Sequence, residues 1–478
     1  MGQEIFADRS QEWLLPPSLE EWVPPEHPAR YVADFVAALE LKALGFKQTH
    51  ATLGAPRYAN ELLLSLWLYG YLQRVRTSRG IERACYGDVG FIWLAGMLRP
   101  DHNTLWRFFR DNEKAFTALF KQSVKLAARL ELVGMVLHAL DGTKLEVAAS
   151  KKGAWHKEQL ERRLARLDEA VEEMARQTHA AQSEQTGEFA LPEALRDAAA
   201  RREEIKNALA VLNAHACNHH QPSEPEAALM KNDGRTEWSY NAQAVVDAQS
   251  GLIVAEDLVN APTDHQQLAP MLDEVAGNLG TSAACTVADA GYHNGEQLAR
   301  AHAAGHTVLV NEAPDHKDAD PAFHATRFAY DPTTDTYTCP QGQTLGYLHT
   351  KSKGDGRAKA RIYGGAPCNA CPLRERCTTD KKGRHLTHNP HHATLVAQRH
   401  LREQPGNPEK LKRRGTLIER IFGWAKHGLH FRRFSMRGLP AAHAQWSLLC
   451  TVMNLKTLQR LGAQFTRPLL DPFSTPRP

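Results

Sequence analysis

Nowhere in the 478 residues is there a run of about 18 consecutive apolar residues, the length that a membrane-spanning helix requires. The opening stretch, MGQEIFADRSQEW, has neither the charged start nor the apolar core of a secretory signal. Together these absences exclude a helical membrane protein and lead to the expectation of a cytoplasmic one. Cysteine is scarce, eight in the whole chain, which argues against a disulfide scaffold. A strong charge of one sign is missing too: 58 Lys and Arg against 54 Asp and Glu leave a formal +4, which does not by itself indicate nucleic acid. What is present is ordinary for a globular protein, with 42% apolar residues and length enough for two to four packed domains.

The small net charge hides an uneven distribution. Between Arg399 and Arg437 stand eleven Lys and Arg against three acids, Glu403, Glu409 and Glu419, so this stretch carries about +8 and the remainder about −4. Within it, Arg413, Arg414, Arg420, Lys426, Arg432, Arg433 and Arg437 form a cationic band around Glu419. A local basic band of this kind is expected where a protein neutralises a phosphate backbone and releases counterions. A solvated helix face balanced by neighbouring acids is the plainer explanation for a charge run alone.

Along the chain the character changes several times. Residues 1–130 read as helical, with Asp101 an N-cap candidate before a long periodic stretch, and, with Arg76 and Arg79 beside a short turn, as a DNA-binding domain; a helical core with surface arginines explains them equally well. In 131–155 an apolar run from Val133 to Leu140 reads as a buried strand ending at Asp141-Gly142, where the carboxylate is a functional candidate and a plain Asp-Gly turn is the commoner explanation. Residues 156–220 carry heptad-like rows, Leu160, Leu164, Leu167, Val171 and Met174 followed by a less regular Leu195, Ala198, Arg202, Ile205, Leu209 and Leu212, which predict an antiparallel helical hairpin with a structural role. In 221–310 the order is two antiparallel strands turning at Ala248 to Gly251, a helix capped by Asp264, a short strand ending at Asp289, a helix and a strand. Residues 311–399 are polar and read as an insertion, 400–465 hold the helix with Glu419, and 466–478 form a Pro-rich tail. With the hairpin set aside, this is a mixed α/β layer in which the two strand-end aspartates lie side by side.

Asp141, Asp289 and Glu419 are far apart in sequence, so only a fold can unite them. Two acids at adjacent strand ends and one from a helix on the sheet would hold two divalent cations, Mg²⁺ or Mn²⁺, because hard ions prefer carboxylate oxygens. Such a pair would activate an attacking oxygen and stabilise the leaving oxygen in in-line displacement at phosphorus. An acid amid cations then places a metal next to the phosphates those cations hold, and Lys426, seven residues after Glu419 and two helical turns along the same face, can reach the same DNA strand. A surface Glu salt-bridged to its neighbours is the structural alternative for Glu419 taken alone.

The blocks LDGTKLEVAAS, SYNAQAVVDAQSGLIVAEDLVNAPTDHQQLAPML, VADAGYHN and RRGTLIERIFGWAKHGLHFRRFSMRG, in this order, resemble those of bacterial insertion-sequence transposases of the DDE class. The stretch from PPEHPARYVADFV to LRPDHNTLWRFFR resembles their InsH-type N-terminal domain. The resemblance implies an α/β fold with an RNase H-like mixed sheet, preceded by an all-α domain and interrupted by the helical hairpin and by a Cys-containing insertion. It also implies Mg²⁺-dependent cleavage at transposon ends and joining of the 3′-hydroxyls to target DNA. Partners would be terminal inverted repeats and target DNA, met as a homodimer, with the protein nucleoid-associated when bound. The family's acids fall on Asp141, Asp289 and Glu419, and the lysine of its Tyr-Arg-Glu-Lys signature falls on Lys426. Gly415 stands where that signature has arginine and Lys412 where it has tyrosine, so Arg414 would substitute. A two-metal nuclease without strand transfer, or a silent DNA-binding derivative, shares these features.

Cys339, in CPQG, followed by Cys368, Cys371 and Cys377 in CNACPLRERC, forms the other constellation. Four thiolates would make a closed tetrahedral Zn²⁺ site stapling a polar insertion; reduced cysteines or an iron–sulfur cluster are the alternatives. The run HACNHH, from His215 to His220, is a weaker motif and reads as a loop.

Overall fold

The computed structural model describes residues 18–47, 57–149, 154–182, 193–214, 219–232, 234–315, 320–351, 360–365, 368 and 370–465. It is mixed α/β, about half helical, as the sequence pattern predicts. The chain divides into two compact units: residues 1–133, 427–430 and 447–478 in the first, 134–426 and 431–446 in the second.

The first unit is helical: α1 Leu19–Trp22, α2 Pro28–Ala37, α3 Asn60–Leu72, α4 Ser78–Gly87, α5 Val89–Ala95, α6 His102–Asp111 and α7 Glu113–Arg129. α3 is its centre, because NELLLSLWLYGYL is apolar nearly all round and every residue from Leu63 to Tyr71 is buried. A side chain at Gly90 would collide with the Tyr69 ring, so glycine lets α5 approach α3 closely. α5 and α6 start where short acids cap them: Asp88 accepts from the Gly90 and Phe91 amides at 2.9 and 3.1 Å, and Asp101 from Thr104 at 2.6 Å. The long periodic stretch after Asp101 breaks into α6 and α7 at Asn112, a buried residue whose amide donates to the Phe108 carbonyl at 2.8 Å and accepts the Lys47 N–H.

The second unit contains β1 His138–Glu146, β2 Trp155–His156, α8 Lys157–Gln182, α9 Glu193–Ala214, β3 His219–His220, β4 Ala228–Asn232, β5 Arg235–Asp247, β6 Ile253–Val259, α10 Leu268–Leu279, β7 Thr286–Ala288, α11 Gly295–Ala303 and β8 Val308–Val310. A second sheet follows, β9 Ala329–Asp331, β10 Thr336–Thr338, β11 Thr344–Lys351, β12 Ala360–Gly364 and β13 Leu386–Thr387, with α12 Arg374–Cys377 before β13. Then come α13 His392–Glu403, α14 Asn407–Gly423 and α15 Leu439–Arg460, whose residues up to Trp446 belong here.

The main sheet has six strands: β4 and β6 both pair β5, and the order continues β5-β1-β7-β8. β5 runs antiparallel to both β1 and β6, whereas β7 is parallel to β1 and β8 parallel to β7. The β5–β6 turn forms where expected: Gly251 takes φ +76°, and Asp247 accepts from the Ser250 hydroxyl at 2.7 Å and the Ser250 amide at 2.8 Å. Ala139, Leu140, Val245, Val254, Val287 and Leu309 are almost fully buried in this sheet, and α14 buries Leu411, Ile418, Ile421 and Phe422. In the hairpin, Leu160, Ile205, Ala208 and Leu212 form a buried cluster flanked by Leu164, Leu167 and Leu209, and Arg202 pairs with Asp168. The joining residues 183–189, and His215 and Cys217, lie outside the described residues.

Two local expectations are corrected. β1 does not stop at Leu140; it continues through Asp141 and Gly142, paired with Ala244 and Gln243, to Glu146. Asp-Gly looked like a turn, but here glycine keeps a crowded strand position clear. Asp264 does not cap α10, which begins at Leu268 after Gln267 with no side-chain cap; its carboxylate is drawn instead to the sheet.

Candidate active site

Strand register alone brings two of the three candidate acids together. β1 and β7 are parallel with His138 opposite Thr286 and Ala139 opposite Val287, a constant offset of 148, which is also the offset between Asp141 and Asp289. Carried two residues onward, the register sets Asp289, the residue just beyond β7, at the level of Asp141. The Asp141 carboxylate accepts the Gly142 N–H at 2.8 Å, and Asp289 accepts that of Gly291 at 2.8 Å, closing a 3-10 turn over Ala290–Tyr292.

The other oxygen of Asp141 receives the Arg414 guanidinium from α14, and both side chains are largely covered, 17% and 16% exposed. Burial pushes the Asp141 carboxyl up to about 6, with Arg414 opposing and the nearby charge of Asp289 adding to the rise. A buried acid at the edge of ionisation near neutrality gains more from an incoming cation than a solvated one does.

Glu419 sits five residues beyond Arg414, about 140° further round the helix at roughly 100° per residue, and it is exposed. A Cβ at Gly415 would stand 3.1 Å from its carboxylate, which lies back over its own helix. Among the described residues no three His, Cys, Asp or Glu side chains are gathered so as to hold a metal ion. The structure therefore unites Asp141 with Asp289 and leaves Glu419 on the exposed flank of the helix that supplies Arg414.

The cationic candidates have different surroundings. Arg413, Arg420, Arg432, Arg437 and Arg79 are exposed, and Arg76 is half-buried. Arg433 donates to the carbonyls of Val147 at 2.8 Å and Ala149 at 2.6 Å, tying its segment to the end of β1. Lys426 does not continue the Glu419 row of a regular helix. α14 gives way at Trp424 to a π-helical turn, Trp424–Gly428, whose wider winding rotates Lys426 off that row.

Several residues around the acids have no role at the site on the sequence pattern alone, which marks Asp264 as a helix cap. Asp264 accepts from Asn241 at 2.7 Å, Gln243 at 2.8 Å and Lys144 at 3.2 Å, and the Tyr292 hydroxyl donates to the Gln243 carbonyl oxygen. Burial, then the charges of Asp264, Asp141 and Asp289, hold the Tyr292 hydroxyl protonated, so it is a donor. The available signal was the polar alternation Ser239, Asn241, Gln243 in a strand that is otherwise apolar.

Cys339, Cys368, Cys371 and Cys377 line one small cavity of about 30 Å³ together with Phe323, Phe328 and Arg384. The Gln341 and Gln343 amides donate to the Cys339 sulfur at 3.4 and 3.3 Å.

The site sets two carboxylates side by side on a mixed sheet, and comparison with known families bears on what it does. Residues 338–459 match the family model described as transposase DDE domain, and residues 17–111 match that described as transposase domain (DUF772). Together the two matches support an insertion-sequence DDE transposase. The first match spans Glu419, Arg414, Lys426 and the four cysteines, and ends short of Asp141 and Asp289 on the N-terminal side. No curated protein matches the chain.

Proposed function

We propose that the protein cleaves the ends of an insertion sequence and joins the 3′-hydroxyl ends to target DNA by two-metal-ion phosphoryl transfer. The observation that carries this reading is the level placement of Asp141 beside Asp289 on parallel strands, with Arg414 lodged on Asp141. The strand order β6-β5-β1-β7-β8, antiparallel on one side of β1 and parallel on the other, supports an RNase H-like arrangement. On that reading the helical hairpin of 156–220 and the Cys-bearing stretch of 311–399 are insertions, and 1–130 is a DNA-binding domain.

Two level carboxylates are hard oxygen donors and suit Mg²⁺ or Mn²⁺. The high proton affinity of Asp141 fits a buried anion that a cation would stabilise. A second ion needs a third carboxylate, the role we assign to Glu419. Bound there, the ions would supply Lewis-acid activation of the attacking oxygen and stabilisation of the leaving one. The chain's own residues do the rest. Asp141 and Asp289 fix the origin of the site, Arg414 balances the Asp141 charge, and Arg413, Arg420, Lys426, Arg432 and Arg437 hold phosphates. We assign it to the bacterial cytoplasm, acting as a homodimer on terminal repeats and target DNA.

The test offers a labelled 3′-hydroxyl DNA end to a supercoiled plasmid in Mg²⁺ or Mn²⁺. Joined product supports transposition. Hydrolysis without joining favours a nuclease, and binding without cleavage a silent DNA-binding protein.

We also propose that the four cysteines take a structural Zn²⁺. The four residues line one cavity, where their side chains would have to draw closer to hold an ion, and the backbone N–H groups of Gln341 and Gln343 would stabilise a Cys339 thiolate. Metal analysis of purified protein tests this, and protein free of zinc with its cysteines reduced removes it.

A further inference from the structure

β5 buries a polar row that packing alone would not select. Ser239, Asn241 and Gln243 alternate on one face and are fully covered, which is costly unless their polar atoms find partners. Gln243 is fully used: its amide donates to Asn241 at 2.9 Å and to Asp264 at 2.8 Å, while its carbonyl oxygen accepts from Tyr292. Asp264 collects Asn241, Gln243 and Lys144 on one carboxylate oxygen. It can lie there because residue 142 has no side chain: a Cβ on Gly142 would stand 2.7 Å from that oxygen and closer still to the Gln243 amide. At Gly291 a Cβ would stand 3.0 Å from an Asp289 oxygen and 3.6 Å from the other oxygen of Asp264. The glycines that follow both acids thus open onto Asp264.

We propose that Asp264 is a positioning residue, fixing the turn that carries Asp289 against the strand that carries Asp141 by way of Gln243 and Tyr292. This rests on the reading of Asp141 and Asp289 as metal ligands. Tyr292 lies three residues beyond Asp289 and ends the turn that Asp289 opens, so anchoring its hydroxyl holds that turn from its far end. Lys144 lies three residues beyond Asp141 on β1, so its ion pair ties the same carboxylate to the other strand. The carboxylate also keeps the Lys144 ammonium occupied beside the site. Partners that orient ligands from behind typically change metal affinity by about 10- to 100-fold when lost.

The test compares wild type, Asp264→Asn, Tyr292→Phe, the double variant and Asp141→Asn for Mn²⁺ affinity, by magnetic resonance counting of free ion, and for thermal unfolding. Each network variant is expected to weaken Mn²⁺ by about tenfold while unfolding near the wild-type temperature. The double variant is expected to weaken it no more than the stronger single one, because both break one chain of contacts. Wild-type affinity in both single variants overturns the proposal. So does a loss of affinity that merely tracks loss of fold, or one that multiplies in the double variant. If Asp141→Asn itself leaves Mn²⁺ binding unchanged, the metal reading of the acids fails and the proposal falls with it.

Discussion

The two sheets of the second unit position their functional groups by different means. In the sheet β6-β5-β1-β7-β8 a broad apolar core fixes the backbone, and Asp141 and Asp289 become neighbours because two parallel strands keep a constant offset. In the sheet β9 to β13 the buried cluster among the described residues is small, Phe328, Tyr337, Leu345, Tyr363 and Leu386, with Cys339, Cys368 and Cys377 packed beside it. There, side-chain fastenings substitute for bulk: Asp335 accepts from the hydroxyls of Tyr330 at 2.8 Å and Tyr363 at 2.7 Å and pairs with Arg361. A sheet with a wide core can spend burial on an acid that prefers to be protonated. A sheet with a small one depends on each polar fastening.

The largest effect separates chemistry from architecture. Asp141→Ala and Asp289→Ala should each lower DNA cleavage by on the order of 10³-fold or more with DNA binding retained, since a ligand is lost and the sheet is not. Gel-based cleavage and binding assays check this. Glu419→Ala should match them, and cleavage close to wild type in that variant would remove the third-ligand role and leave a two-carboxylate site.

Equal truncations sharpen the contrast in cores. Leu140 and Leu345 are both fully buried, and Leu→Ala costs about 2–5 kcal/mol at such positions. Leu140→Ala should lower the unfolding temperature of the second unit with no local opening. Leu345→Ala removes one of the five residues that form the buried cluster among the described residues, so hydrogen exchange should show β9 to β13 opening selectively while β1 and β5 stay protected. Uniform exchange in both variants would show the two sheets to be one cooperative block.

The two sheets should also answer pH with opposite sign. The Asp141 carboxyl is raised to about 6, mainly by burial, so its contribution to stability is fully present below the unfolded value near 4 and is lost as pH rises through about 6. Asp141→Asn should therefore match wild type near pH 4 and exceed it above pH 7, by about 3 kcal/mol at most. Asp335 is held down to about 2 by the hydroxyls of Tyr363 and Tyr330, so its contribution is present above about pH 4 and lost as pH falls through about 2. Denaturation midpoints across pH 2 to 8 measure both, and a pH-independent difference for Asp141→Asn would refute its raised proton affinity.

Much of the scaffold was legible in the sequence. Short apolar runs marked β7 and β8, the Asp101 cap marked α6, and heptad rows marked the packed faces of α8 and α9. The adjacency of Asp141 and Asp289 was expected from placing both at strand ends, although β1 runs on past Asp141 to Glu146 and the parallel register is what makes them level. What escaped was decided by side chains in three dimensions. Gly142 looked like a turn because its reason for being glycine, the approach of Asp264 and Gln243, comes from residues about 100 or more positions away. Asp264 looked like a helix cap because Asp before a periodic stretch usually is one. Lys426 looked aligned with Glu419 because the π-helical turn at Trp424–Gly428 leaves no mark in the spacing of apolar residues.

That turn sets the smallest prediction. Seven residues in a regular helix would put Lys426 and Glu419 on one row, and both would then meet the same phosphates. The π turn separates them, so Lys426 should contribute to DNA binding as an independent phosphate contact and not as a partner of Glu419. Lys426→Ala should then weaken binding of any DNA sequence alike and reduce the slope of log affinity against log salt by about 1. Combined with Glu419→Ala, its effect on binding should simply add, within about 0.5 kcal/mol. Fluorescence anisotropy titrations at several salt concentrations measure both quantities. A strongly non-additive pair would mean that the turn rewinds on DNA and restores the row; an unchanged slope would take Lys426 off the backbone altogether.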